Sequence, residues 1–354
     1  MATLDPAGQA DAAATGPRRL RQLGRRALGL LPDPFTLAIL AALLVGLVVP
    51  VHGVAATSLD KLTKCAIALL FFLHGAKISR ETILRGIMHW RLHLLVLAST
   101  FVAFPVFGAA VQFLPRGLLN PDLAAGFLFL SLLPSTVQSS VAFTAVAGGN
   151  VPSAVCSASI SNLLGMFVTP LMVSLTMHAH QGGISWETVR PILFELLAPF
   201  AAGQAVQTWV RPWLLRHSRV VGLVDRGSIV LVVYTAVSAA TVEGYWRMVS
   251  LRDLGLVVLV SAVILACMLA ATTVLARRLG FSKADEIAIV FCGSKKSLAS
   301  GAPLAGALFP AAAVGGLLLP VIVFHQIQLV TCGVLARRYA RHADAARLAT
   351  PDVA

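Results

Sequence analysis

Residues Phe291-Cys292-Gly293-Ser294-Lys295-Lys296-Ser297-Leu298-Ala299-Ser300-Gly301 put two adjacent lysines in the middle of a run otherwise apolar enough to cross a membrane. A charge at bilayer depth is costly and is seldom there without a partner or a function. The glycines and serines around it let a helix break or let backbones pass closely. The stretch therefore reads as a broken membrane helix that binds something. Neighbouring positions of an intact α-helix point about 100° apart, so both lysines face one site only if the backbone there is not helical. A lysine at the start of a half-helix also meets the positive end of its dipole. Two arrangements relieve this: an anion bound between the ammonium and the helix N-terminus, or one lysine held neutral in a dry site. Snorkelling to an interface is disfavoured, because both lysines lie deep in the apolar run 284–309.

The whole composition agrees with a membrane setting. Of 354 residues, 57% are hydrophobic and only 12% charged, with a mean hydropathy of +0.83. A soluble chain carries about 25% charged residues. The length allows roughly ten spans of about 20 residues. The net charge of +13 fits basic cytoplasmic loops, and no soluble basic domain exists to bind nucleic acid. Cys65, Cys156, Cys267, Cys292 and Cys332 lie in or beside apolar runs with no CxxC pair, so neither a disulfide framework nor a zinc site is expected. Arg18 to Arg26 precede an apolar run, 35–49, without a convincing small-residue cleavage site, so it reads as a retained first helix.

Apolar runs predict helices at about 34–50, 62–78, 91–113, 122–147, 151–177, 190–210, 227–243, 253–277, 284–309 and 312–336. Ten spans separate the Lys and Arg residues into 20 on one side and 6 on the other, with Lys295 and Lys296 left within the membrane. The richer side holds both termini, which makes them cytoplasmic and places the chain in the plasma (inner) membrane. The predicted organisation is a disordered basic tail (1–30), a first repeat of five helices (31–177), a second (178–338) and a cytoplasmic C-terminal tail (339–354). The fourth and ninth runs both carry a polar interruption, Pro134 to Ser140 in the one and the lysine stretch in the other. They are five spans apart, so the two halves have opposite orientation. Paired interruptions in inverted halves point to a transporter substrate site.

In the fourth run Ser135 and Ser139 share a face, as do Thr136 and Ser140, and Gln138 adds a larger polar head. Unwound backbone there exposes carbonyls to a cation and N–H groups to an anion. Ser153, Ser157 and Ser161 recur at spacing four in the fifth run, with Asn162 beside the last. This stripe serves either a site or helix–helix hydrogen bonding, with Ser161 and Asn162 favoured for the site. Glu195 is the one deep acid, without a visible partner, and His325 and Gln326 are weaker candidates in the last run. Ser294 and Ser297 beside the lysines join the candidate binding set. As a Ser–Lys nucleophile pair they lack the geometry that sequence neighbours rarely achieve. No HExxH, GxSxG or P-loop is present, so no enzyme is expected.

Four segments carry a resemblance: Phe71 to Ser79, Leu133 to Ser140, Asn162-Leu163-Leu164-Gly165 with Thr169-Pro170-Leu171, and Phe291 to Leu298. On these the chain resembles the bile acid:sodium symporter superfamily over about residues 30–340. The lysine stretch is similar to that of its SBF-like orphan branch, which includes the seventh member of the human bile-acid carriers. The resemblance implies an all-α polytopic fold of ten helices in two inverted five-helix repeats. It further implies a panel domain (helices 1, 2, 6 and 7), a core domain with crossing broken fourth and ninth helices, and a substrate cleft between them worked by alternating access. Sodium-coupled relatives carry a Glu and a Gln-Asn pair in the ninth helix. Here the nearest positions read Phe291, Lys295 and Lys296; the fourth-helix pair reads Ser139-Ser140 and a third-helix glutamine position reads Thr100. The expectation is that an ammonium stands where relatives hold sodium, held by Ser139, Ser140, Ser161 and Asn162, with coupling to protons or none. Sodium stays an open alternative, and no other cofactor or metal is expected.

The predicted function is secondary transport, symporter-type, of a small organic anion across the lipid bilayer. The alternative is a non-transporting regulatory or scaffold protein of the same fold. Substrate identity and oligomeric state are not legible in the sequence.

Overall fold

A computed structural model describes residues 34–77, 89–115, 117–177, 190 and 192–349. By packing, the chain divides at Ala41, and the unit from Ala42 on holds almost every element. Among the described residues the secondary structure is entirely helical. The helices are α1 (Pro34–Val48), α2 (Gly53–Lys77), α3 (Trp90–Gln112), α4 (Pro121–Leu132), α5 (Gln138–Val146), α6 (Val151–Thr176) and α7 (Ala198–Ala205, entered through the π-turn Ile192–Leu197). They continue as α8 (Gln207–Arg216), α9 (Ser218–Val242), α10 (Leu251–Arg278), α11 (Lys283–Gly293), α12 (Leu298–Leu308) and α13 (Ala311–Ala349). Five of them, α3, α6, α9, α10 and the part of α13 to His342, are long and apolar enough to cross a membrane by length and composition. Their outward faces are apolar too: Val258, Leu259, Val263 and Val274 on α10 are exposed. Such a surface suits lipid rather than water, and the protein is an integral membrane protein.

Local chemistry fixes the ends. Asn120, Asn150, Ser250, Ser282 and Ser297 each cap a helix by accepting a backbone N–H two or three residues on, satisfying donors a helix start leaves free. Several boundaries differ from the hydropathy reading. α2 begins at Gly53, whose φ of 61° suits glycine, before both starts the apolar run allows, 62 and nearer Leu59, because Asp60, Lys61 and Lys64 mask a helical segment that hydropathy scores as a loop. For the same reason α9 starts at Ser218, upstream of Asp225 and Arg226. α13 runs on to Ala349, through much of the expected C-terminal tail. The expected N-terminal tail (1–30) lies outside the described residues.

Helices α2 and α7 are joined by glycines. A Cβ on Gly203 would lie 2.0 Å from the Phe72 carbonyl oxygen, and one on Gly75 would lie 2.2 Å from that of Phe200. These backbones touch because neither residue has a side chain. Leu73, Ala76, Leu214 and Val221 extend this packing to α8 and α9. A second core unites α3, α6, α10 and α11 through Leu92, Val96, Ala154, Ala158, Ala276, Ala288 and Ile289.

Both interrupted runs are broken. Pro134 has no N–H to continue α4 and forces Leu133 to ψ 153°. In the lysine run, α11 ends at Gly293, and Lys295 to Ser297 are non-helical before α12 starts.

Candidate functional site

The two breaks meet. The Ser297 N–H donates to the Pro134 carbonyl at 2.9 Å. Ser135 Oγ donates to the Cys292 carbonyl at 2.5 Å and Ser140 Oγ to the Phe291 carbonyl at 2.8 Å. These are carbonyls that the end of α11 leaves without helical partners. Each broken helix therefore supplies what the other lacks. α6 supports the junction from outside: Ser161 Oγ accepts the Ser135 N–H at 3.1 Å, and Thr169 Oγ1 donates to the Leu132 carbonyl at 2.7 Å. Gly165 leaves room for the Pro134 ring, which a Cβ there would meet at 2.5 Å.

The non-helical segment sends the two lysines apart. Both are fully buried. Lys296 Nζ donates to three backbone carbonyls: Thr100 at 2.8 Å, Ser131 at 2.7 Å and Leu133 at 2.6 Å. Two of these belong to the end of α4, the negative end of its dipole. The third is freed by sequence: α3 makes a π-turn over Ser99–Ala103 with the Phe104 N–H on the Ser99 carbonyl, and in that register the Thr100 carbonyl awaits residue 105, a proline without an N–H. The Phe104 ring centroid lies 4.3 Å from Nζ, a cation–π contact. Gln328 holds the backbone of the same lysine on both sides, its Oε1 accepting the Lys296 N–H at 2.9 Å and its Nε2 donating to the Lys296 carbonyl at 2.8 Å.

Lys295 has a thinner shell. Its Nζ donates to Ser139 Oγ at 3.0 Å and lies 4.5 Å from the Phe143 ring centroid. From Ser139 a hydroxyl chain runs to Thr136 Oγ1 (2.9 Å), Ser140 Oγ (2.9 Å) and the Phe291 carbonyl. Because Ser140 gives its proton to that carbonyl, Thr136 donates to Ser140 and every bond points the same way. Ser139 is half-buried and Gln138 beside it is exposed, so the outer end of the chain is at an open face.

The remaining sequence candidates divide. Ser294 Oγ donates back to the Val290 carbonyl at 2.6 Å, a local bond. Ser297 caps α12 and places Ser300, which donates to Asn162 Oδ1 at 2.7 Å. Ser157 pairs with His93 Nδ1 at 2.6 Å, on the α3 face of α6. Glu195 has Lys64 and Asp60 as its electrostatic neighbours, not the lysines of the break. His325 is buried with its Nδ1 2.8 Å from Gln328 Nε2, and Gln326 is half-buried. Of the set expected to hold one ammonium, Ser139 does so for Lys295, while Ser140, Ser161 and Asn162 bond to Phe291, Ser135 and Ser300. Sequence reasoning passed over Gln328 and the carbonyls of Ser131 and Leu133. Pro134 was the signal for the Ser131 and Leu133 carbonyls, as Pro105 was for that of Thr100, and no letter signalled Gln328.

Ion pairs among the described residues include Lys64–Asp60, Lys77–Asp225, Arg277–Glu286 and Lys283–Glu286, and none of these includes either buried lysine. Nor do those residues contain three His, Cys, Asp or Glu close enough to hold a metal ion. Three carbonyl oxygens at the crossing already face Lys296 Nζ, which leaves no room for a sodium ion on the same three.

Two broken helices packed break to break, inside an apolar-surfaced helical bundle, are an arrangement that membrane transporters use for their sites. The SBF-like CPA transporter family model matches residues 33–341, and the chain belongs to that family. It is 54% identical over 324 residues to an uncharacterized protein of Pseudomonas aeruginosa, covering 91% of this chain and 97% of the relative. It is 50% identical over 312 residues to "Putative symporter YfeH" of Escherichia coli K12, covering 88% and 94%. Sodium/bile acid cotransporter 7 of Xenopus tropicalis is 28% identical over 283 residues, covering 77% and 81%. YfeH and cotransporter 7 are a putative symporter and a cotransporter by name, and the matching family is one of transporters, not enzymes.

Proposed function

We propose that this protein is a secondary transporter of a small organic anion, working by alternating access, in which a lysine ammonium takes the place of a sodium ion. The reading includes ten spans in two inverted five-helix repeats, both termini cytoplasmic, in the inner membrane. One observation carries it: two buried lysines, without a carboxylate partner among the described residues, sit where two broken helices meet. A buried charge of that kind marks a substrate or ion pathway. The packing supports a moving cleft. α12 packs against α2 and α9, whereas the main neighbours of α5 are α6, α11 and α13. The two halves of the crossing thus lean on different groups of helices, and the half bearing Ser139 presents Gln138 at the surface. Uptake of a panel of organic anions into proteoliposomes tests this, at fixed pH with and without a sodium gradient, and then with a pH gradient. Uptake is expected to be indifferent to sodium. Steep sodium dependence refutes the ammonium replacement, and no uptake of any anion refutes the transporter; the pH arm separates proton coupling from none.

A further inference from the structure

We propose that the carbonyl oxygens of Thr100, Ser131 and Leu133 form a monovalent-cation site whose occupant is the chain's own Lys296. Removing that side chain opens the site to a free small cation. Three features argue for a built site rather than incidental contact. The oxygens come from two helices, and each is free for a backbone reason: the π-turn followed by Pro105 in α3, and the end of α4 before Pro134. They converge at 2.6 to 2.8 Å on one nitrogen. A neutral amine has two N–H groups and an ammonium has three, so three acceptors are met only by the charged head. The Phe104 face closes a further side, and the Gln328 amide fixes the backbone from which the side chain reaches in.

Unfilled, these carbonyls are buried acceptors without donors, which proteins avoid. Neutral oxygens in that number suit a monovalent ion of the size of sodium or methylammonium and exclude a bulky quaternary one. The inference rests on the proposed function only in taking Lys296 as charged; it needs no transported substrate, so failure of every uptake assay leaves it standing or falling by itself.

The test is thermal unfolding of the purified full chain in detergent, at equal ionic strength in choline, sodium or methylammonium chloride. The wild type is expected to melt alike in all three. Lys296→Ala is expected to melt lower in choline and to recover by about 3 °C or more in sodium or methylammonium, as a ligand that binds only the folded state requires. If Lys296→Ala gains no more from either cation than the wild type does, the proposal is overturned. Lys296→Met keeps the volume without the charge and decides the matter if the alanine variant does not fold. It is expected to melt below the wild type and to be unmoved by either cation, because its own side chain fills the site. Lys296→Met as stable as the wild type overturns the proposal, since an apolar head would then serve those oxygens equally well.

Discussion

Ser140→Ala tests whether the two broken helices depend on each other. Ser140 Oγ is buried, donates to the Phe291 carbonyl at 2.8 Å and bonds Thr136 Oγ1 at 2.9 Å. The substitution removes both bonds and leaves an α11 carbonyl without a donor. Side-chain hydrogen bonds within membranes average about 0.6 kcal/mol, with a maximum near 1.7, and a buried acceptor left unmet costs about 1–3 kcal/mol. Two lost bonds and one orphan acceptor give about 2 kcal/mol, which for a chain of 354 residues is a drop in Tm of roughly 3 °C. Thr144→Val is the control. Thr144 Oγ1 donates to the Ser140 carbonyl at 2.8 Å within the same helix, where the helical N–H remains, so its loss is expected to cost about 0.5 kcal/mol or less. Unfolding of both purified variants by intrinsic fluorescence compares them. Ser140→Ala within 0.5 °C of the wild type, or Thr144→Val equally damaged, would show that the crossing does not rely on this bond.

Two further outcomes follow from the geometry. Lys295→Ala is expected to abolish anion uptake while membrane insertion and yield stay near wild type, because Lys295 has one oxygen acceptor and holds few elements together; retained uptake in proteoliposomes returns this lysine to a packing role. Gly203→Ala is expected to destabilise by about 3 kcal/mol, the upper end for overpacking, since its Cβ would meet the Phe72 backbone oxygen at 2.0 Å. Gly222→Ala in α9 has open space around it and is expected to gain up to about 1 kcal/mol from helix propensity, so unfolding curves that rank the two the other way contradict the close approach of α2 and α7.

Hydropathy made the helical class legible, and prolines and paired small residues made the two breaks legible at Pro134 and Gly293. The boundaries of α2 and α9 were not, because Asp60, Lys64, Asp225 and Arg226 sit on helices that continue past the apolar window. Within the site, residue type located the polar clusters but not their wiring. Side chains were counted as ligands, while Lys296 takes main-chain oxygens that any residue has. Only the backbone course decides which carbonyls are free. Pro105 was the one letter that announced the Thr100 carbonyl, and its meaning depends on the local π register. Gln328 stood in the sequence as one of several polar residues in the last run, and its role comes from facing the break in α11–α12.

The cradle around Lys296 has an energetic consequence. Its occupant is covalently fixed to the chain, so the occupancy is the same whichever side of the bilayer the site faces and whatever salt is present there. A ligand that cannot be taken from one compartment and released to another has no chemical-potential difference to contribute. On the proposed occupancy, sodium gradients do no work through these three oxygens, and the driving force of the proposed transport enters through the substrate itself or through a group that exchanges with solvent.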